Sequence, residues 1–125
     1  MIRIEQLTAR QGSFQLGPID LDLECGGYLT ILGPSGAGKT VLLEVCLGLA
    51  ASDSGRLWLD GVEAAQLPPE QRRIAYLPQD LALFPHLSVR DNILFGARQQ
   101  QLADEVARER LSELTTLLDL DGILT

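Results

Sequence analysis

One stretch of this chain has residue types and spacing that point directly to phosphate chemistry: Gly33-Pro34-Ser35-Gly36-Ala37-Gly38-Lys39-Thr40. Gly33 and Gly38 are separated by four residues and are followed at once by a lysine and a hydroxyl residue, the pattern of a phosphate-binding loop. The glycines let the backbone curl so that successive N–H groups converge on phosphate oxygens. A helix starting at the end of the loop adds its unpaired N-terminal donors and the positive end of its dipole. Lys39 then reaches the outer phosphates as a compact charge, and Thr40 offers its hydroxyl to Mg²⁺. Lys39 is the chain's only lysine, the other nine basic residues being arginine, so an ammonium stands where a planar guanidinium would suit a narrow site badly. The bland alternative is a glycine-rich turn ahead of a core helix. Taken together, the residues imply a chain that binds a nucleoside triphosphate or descends from one that did.

The flanks fit that use. Tyr28-Leu29-Thr30-Ile31-Leu32 is short and mostly apolar, and predicts a buried strand leading into the loop. Val41, Leu42, Leu43, Val45, Cys46, Leu47 and Leu49 predict an apolar helix leaving it, with Gly48 as its C-cap. Ahead of the loop, Ile2 and Ile4 alternate with Arg3 and Glu5. Phe14 and Leu16 follow a Gln11-Gly12 turn, and Ile19, Leu21 and Leu23 alternate with Asp20, Asp22 and Glu24. These period-two patterns predict antiparallel strands on the N-terminal side of the nucleotide element.

After the helix, Leu57, Leu59 and Val62 flank Asp60-Gly61, a hairpin signal. Apolar residues ending in an acid, as in Leu57-Trp58-Leu59-Asp60, can present a carboxylate to Mg²⁺, but the hairpin is the better reading of Asp60. Pro68-Pro69-Glu70-Gln71-Arg72-Arg73 predicts a turn with a single helical turn after it, its arginines solvated. Ile74-Ala75-Tyr76-Leu77-Pro78 predicts a further strand, with Gln79 and Asp80 just past its end, where open α/β sheets place ligand groups. Ser88, with Asp91 three residues on, predicts a capped short helix ending near Gly96. Leu102, Ala103, Val106, Ala107, Leu111, Leu114, Leu117 and Leu118 predict an amphipathic one.

Composition bounds the function. At 125 residues the chain is one domain at most. Its net charge of −7 argues against a nucleic-acid partner, which calls for a basic face. No secretory layout opens the chain, and no apolar run approaches the ~20 residues that span a bilayer, so a membrane role is expected to be peripheral. Cys25 and Cys46 lack metal-like spacing and read as reduced core or near-core thiols of a cytosolic protein. His86, the lone histidine, has no neighbours that would make a metal or catalytic set and reads as loop packing or a partner contact.

Three stretches in order carry a resemblance: residues 33 to 40, Tyr76-Leu77-Pro78-Gln79-Asp80, and Leu83-Phe84-Pro85-His86-Leu87-Ser88-Val89-Arg90-Asp91-Asn92-Ile93. Together they resemble the N-terminal part of the ATP-binding subunit of ABC transporters, with the first stretch as Walker A and the second as the Q-loop; the third is characteristic of the importer branch. The resemblance spans nearly the whole chain. It implies an α/β fold with a P-loop NTPase core and an N-terminal antiparallel β subdomain, residues 1–125 making a partial ABC-type ATP-binding domain that stops before the signature motif and Walker B. It implies ATP and Mg²⁺ as ligands. Gly33, Pro34, Ser35, Gly36, Ala37, Gly38, Lys39 and Thr40 hold the nucleotide, Lys39 and Gln79 act in catalysis, and Thr40 and Gln79 attend the metal.

The resemblance further implies a transmembrane permease contacted through Leu83 to Val89, a second ATP-binding subunit, and a place on the cytoplasmic face of the membrane. Gly12-Ser13-Phe14-Gln15-Leu16, and Val41 to Glu44, look most like subunits serving molybdate, tungstate or sulfate. The family stacks an aromatic on adenine from the loop after its first strand. Phe14 is the nearest candidate here, and core packing is an equal reading of it. The Ser-Gly-Gly signature, the acidic strand with the catalytic Glu and the switch His are absent from the sequence, which puts hydrolysis by this polypeptide in doubt. A small P-loop kinase, or a non-catalytic nucleotide-binding remnant, remains the alternative.

Overall fold

The computed structural model describes residues 1–80 and 82–124. They form two compact units, Met1–Tyr76 and Leu77–Thr125.

The first unit is built on a four-stranded antiparallel sheet. Strand β1 (Ile2–Gln11) turns through Gly12 and Ser13 into β2 (Phe14–Leu23). Helix α1 (Lys39–Leu47) follows the loop, then β3 (Ser54–Leu59) and β4 (Val62–Glu63) make a hairpin, giving the strand order β2-β1-β3-β4. The turn between β3 and β4 is Asp60-Gly61, with φ of 48° and 82°, the two left-handed residues that match the twist of a two-residue hairpin. The expected alternation is realised. Ile4, Leu7 and Ala9 of β1, Leu16 of β2, and Leu57 and Leu59 of β3 point to one face. There they meet Val41, Leu42 and Val45 of α1. Burying a Leu or Val side chain is worth about 1.5–3 kcal/mol, so this layer carries the unit. The opposite face is polar, with Glu5 bridging Arg3 at 2.8 Å and Arg56 at 3.6 Å, and the Arg56 guanidinium 5.2 Å from the Trp58 ring centre.

Two expected strands are not laddered. Among the described residues, no strand pairs with residues 28–32 or 74–78. Tyr28 is fully exposed, and Leu32 and Leu77 are exposed at 87% and 79%. Only Ile31 and Ile74 of the two segments pack on the core. An apolar run buries itself as a central parallel strand only when strands lie on both sides of it, and the four strands of this sheet, in the order β2-β1-β3-β4, pair antiparallel with one another and not with either segment. Both segments line an apolar hollow of about 220 Å³ with Leu42, Leu43 and Cys46 of α1. Cys46 is half-buried, and burial raises its thiol pKa. Cys25, in contrast to expectation, is exposed, because the turn after β2 lies outside the packed face.

Helix α1 stops at Gly48, whose φ of 81° is the left-handed C-cap the sequence predicts. Of the two arginines expected in solvent, Arg73 is exposed, but Arg72 is half-buried against the end of α1.

In the second unit, α2 (Val89–Gln99) packs on α3 (Asp104–Leu117). Ser88 caps α2, its Oγ accepting from the Asp91 N–H at 3.1 Å and meeting the Asp91 carboxylate at 2.9 Å. The helix runs past Gly96, with Gln100 at its end: the Asp91–Arg98 ion pair, 2.7 Å, spans the glycine, and nothing crowds position 96. Of α3, only Leu111 and Thr115 are buried, four residues apart on one face.

Candidate functional site

The loop at residues 33–40 enters α1 without a side-chain cap. Gly38 is the N-cap residue with φ 87°, and no acidic residue stands in the first turn. The leading N–H groups of α1 therefore face outward with the positive end of the helix dipole behind them. Gly36 is also left-handed, φ 81°, and a Cβ there would meet nothing within 4 Å, so the crest of the loop is open. Within the loop, Ala37 donates its N–H to the Pro34 carbonyl at 3.2 Å, and the Leu42 N–H donates to Gly38 O at 2.9 Å, starting the helix.

Lys39 sits at the first helical position and folds back over the loop. Its Nζ donates to the Gly33 and Pro34 carbonyls, both at 2.8 Å. An ammonium has three donors, so one remains for a further acceptor at the same point. Thr40 follows, exposed in the first turn of α1. Phe14, at the start of β2, is half-buried, and its ring packs against Gly38. The expected site residues from Gly33 to Thr40 and Phe14 are thus gathered in one unit.

Gln79 belongs to the second unit, exposed in a turn with Asp80. The loop expected to receive a membrane partner, Leu83 to Val89, is shaped from within that unit by one side chain. The Asn92 side-chain carbonyl accepts from the Phe84 N–H at 2.8 Å, while its amide nitrogen donates to Phe84 O at 3.1 Å and Ser88 O at 3.0 Å. Phe84 packs on Phe95 with ring centres 4.4 Å apart and meets the exposed His86 edge-on at 6.0 Å. Sequence reasoning gives Asn92 no role of its own, although an amide four residues after a capping serine is a usable signal. Asp60 lies in its hairpin turn, as the Asp-Gly pair predicts.

No helix among the described residues is long and apolar enough to cross a membrane.

The family described as "ABC transporter" matches residues 16–123 of the chain. The molybdate/tungstate import ATP-binding protein WtpC of Pyrococcus abyssi is 41% identical over 124 residues, covering 99% of this chain and 36% of that protein. A probable sulfate/thiosulfate import ATP-binding protein, CysA of Chlorella vulgaris, is 42% identical over 121 residues, 96% of this chain and 51% of that one. The chain thus spans roughly a third to a half of the length of these curated relatives. Among solved structures, the dimeric structure of MJ0796, a bacterial ABC transporter cassette, superposes with a TM-score of 0.83 at 21% identity, over 100% of this chain and 60% of that one. The expected fold, a P-loop core with an antiparallel β subdomain on its N-terminal side, is borne out by that likeness.

Proposed function

Because the chain belongs to the ABC transporter family, we propose that residues 1–125 are a partial ATP-binding domain of an importer's ATP-binding subunit, which couples ATP binding and hydrolysis to solute movement. The observation that carries this is the loop itself: left-handed Gly36 and Gly38, an uncapped helix start, and Lys39 Nζ held at the loop's mouth by two carbonyls. That donor set fits a polyphosphate, because the uncapped N–H groups of the helix start, the Lys39 ammonium and the exposed Thr40 hydroxyl are all donors.

In this reading the N–H groups of the loop and of the first turn of α1 cradle the phosphates. Lys39 exchanges its contacts with Gly33 and Pro34 for the outer phosphates, and Phe14 supports the site beside Gly38. Thr40 would offer its hydroxyl to Mg²⁺, which would supply charge neutralisation on the phosphates, and Gln79 would be a further metal ligand by the family resemblance. Gln79 orients the attacking water. Leu83 to Val89 meet a transmembrane permease, and a second ATP-binding subunit completes the pair, a reading supported by the likeness to a cassette whose solved structure is dimeric. The place of action is the cytoplasmic face of the membrane. An oxyanion of the molybdate, tungstate or sulfate kind is the proposed solute, supported by the relatives named for molybdate/tungstate and sulfate/thiosulfate import, which match over 96% or more of this chain.

Phosphoryl transfer needs several groups acting together, and removing one stabilising group can lower the rate by ~10²–10³-fold. The chain brings phosphate donors, a metal hydroxyl and Gln79, but no identified acid to complete the set. The expected result for purified residues 1–125 is weak Mg-ATP binding that is lost on Lys39→Ala, with phosphate release at background. Binding unaffected by Lys39→Ala would reject the site. Steady turnover by the chain, abolished by Lys39→Ala, would favour a kinase-like enzyme instead.

A further inference from the structure

Helix α1 has only nine residues, and its two ends are held by different means. The N-terminal end carries Lys39 and Thr40. At the C-terminal end the Gly48 N–H donates to Val45 O at 3.1 Å and the Leu49 N–H to Glu44 O at 2.8 Å, while the Cys46 carbonyl is left to a side chain and no basic residue of the helix stands in its last turn. The charge comes instead from Arg72, just past the short 3₁₀ turn Pro69–Gln71. Its Nη1 donates to Val45 O at 2.7 Å and to Cys46 O at 2.9 Å, and its Nε donates to Leu67 O at 3.0 Å. The guanidinium lies flat on Gly48: a Cβ there would stand 2.7 Å from Nε and 2.8 Å from Cζ. A planar fork thus ties the negative end of α1 to the chain that follows β4, through charge-assisted hydrogen bonds.

We infer that Arg72 is a positioning residue of the nucleotide site, setting the height and tilt of α1 and through them the placement of Lys39 and Thr40. The inference rests on the nucleotide-binding reading of the loop. Its physical basis is leverage. Nine residues of helix span about 13 Å, so a tilt of about 5° at one end moves the other by roughly 1 Å. A misplacement of that size at a phosphate site can lower function by ~10²-fold. A nine-residue helix has little stability of its own to resist such a tilt, because isolated helices shorter than ~12–15 residues are marginal. Its other restraints are a long, exposed hydrogen bond from Gln11 Nε2 of β1 to Glu44 Oε2 at 3.3 Å and apolar packing through Val41, Leu42 and Val45, which resists removal from the sheet better than sliding along it. Directional bonds at the helix end supply what packing lacks.

The test separates placement from bulk stability. Arg72→Met keeps the aliphatic stem and removes all three donors; Arg72→Lys keeps the charge and a subset of them. Mg-ATP affinity is measured for the 125-residue chain at a temperature where circular dichroism shows each variant fully folded, beside Lys39→Ala and the unmodified chain. The expected result is a Kd about tenfold weaker or more for Arg72→Met, with Arg72→Lys between it and the unmodified chain. A lowered Tm with Kd within twofold of the unmodified chain would overturn the inference, since a purely scaffolding arginine affects folding alone. Should Arg72→Met fail to fold, Arg72→Lys decides by amide exchange. Faster exchange at Leu42 N–H than in β1 supports the inference, and a uniform change overturns it. Failure of the unmodified chain to bind Mg-ATP, or binding indifferent to Lys39→Ala, would overturn the nucleotide reading and this inference with it.

Discussion

The ring of Phe14 lies against the α-carbon of Gly38: a Cβ at position 38 would stand 2.7 Å from Phe14 Cε1, 2.8 Å from Phe14 Cζ and 2.8 Å from Leu16 Cδ1. Strand β2 thereby sets the floor of the loop. Position 38 also has φ 87°, so an alanine there meets backbone strain and a collision together. Gly38→Ala is expected to destabilise the chain by about 1–3 kcal/mol and to weaken Mg-ATP binding by tenfold or more. Thermal denaturation and a binding titration check the two effects separately.

The same contact distinguishes two roles for Phe14. If the ring only supports the loop, Phe14→Ala should weaken Mg-ATP and inorganic triphosphate by the same factor. If it also stacks on the base, ATP alone should lose a further two- to tenfold or so, since an aromatic stacking pair is worth about 0.5–1.5 kcal/mol. Parallel titrations with the two ligands decide it.

Lys39 is held by two carbonyls of its own loop, at 2.8 Å each, a geometry that a slim ammonium satisfies and a planar guanidinium does not. Lys39→Arg is therefore expected to lose nucleotide binding nearly as fully as Lys39→Ala. Calorimetric titration showing near-normal affinity for the arginine variant would contradict this.

Gln79 is exposed in a turn of the second unit, and if it orients water as proposed it acts mainly in the reaction itself. In an assembled importer, Gln79→Ala should leave ATP affinity within a few-fold while lowering solute-stimulated hydrolysis by roughly ten- to a hundredfold. Reconstituted vesicles loaded with solute provide the measurement, and an unchanged stimulated rate would take Gln79 out of the site.

Asp91 titrates below the ordinary carboxylate range, chiefly because the Ser88 hydroxyl donates to it and secondarily because Arg98 does. Its folded pKa thus lies below the unfolded value of about 3.9. The stabilisation is full above that unfolded value and is lost as pH falls through the folded one. Asp91→Asn should melt earlier than the unmodified chain at neutral pH, and the difference should vanish in acid. Far-ultraviolet circular dichroism over a pH series follows it.

Features set by neighbours in sequence were legible before the structure. Asp60-Gly61 specifies its hairpin, Gly48 ends α1, and Ser88 with Asp91 opens α2, because each acts through backbone geometry a few residues away. The alternation of Ile19 and Leu21 likewise finds the core face of β2, with Leu23 half-buried at its end. Features set by distant partners were not. Residues 28–32 carry the composition of a central strand, but a ladder is a property of two segments, and composition reports on one. Arg72 and Arg73 are chemically identical neighbours, and only the approach of Gly48 from α1 separates a capping arginine from a solvated one.

Gly48 is constrained twice, by a left-handed backbone and by the guanidinium laid upon it. The two constraints have different remedies. Shortening residue 72 would clear the space for a side chain at 48 but leave its dihedral unfavourable, whereas Asn at 48 tolerates the dihedral and still strikes the arginine. Positions 48 and 72 are therefore epistatic. Replacing both residues should destabilise the chain by less than the sum of the single replacements, the deficit measuring the collision alone. An evolutionary path that alters both positions therefore passes through a less stable intermediate in either order, by collision if position 48 changes first and by loss of the arginine's bonds to the Val45, Cys46 and Leu67 carbonyls if position 72 does.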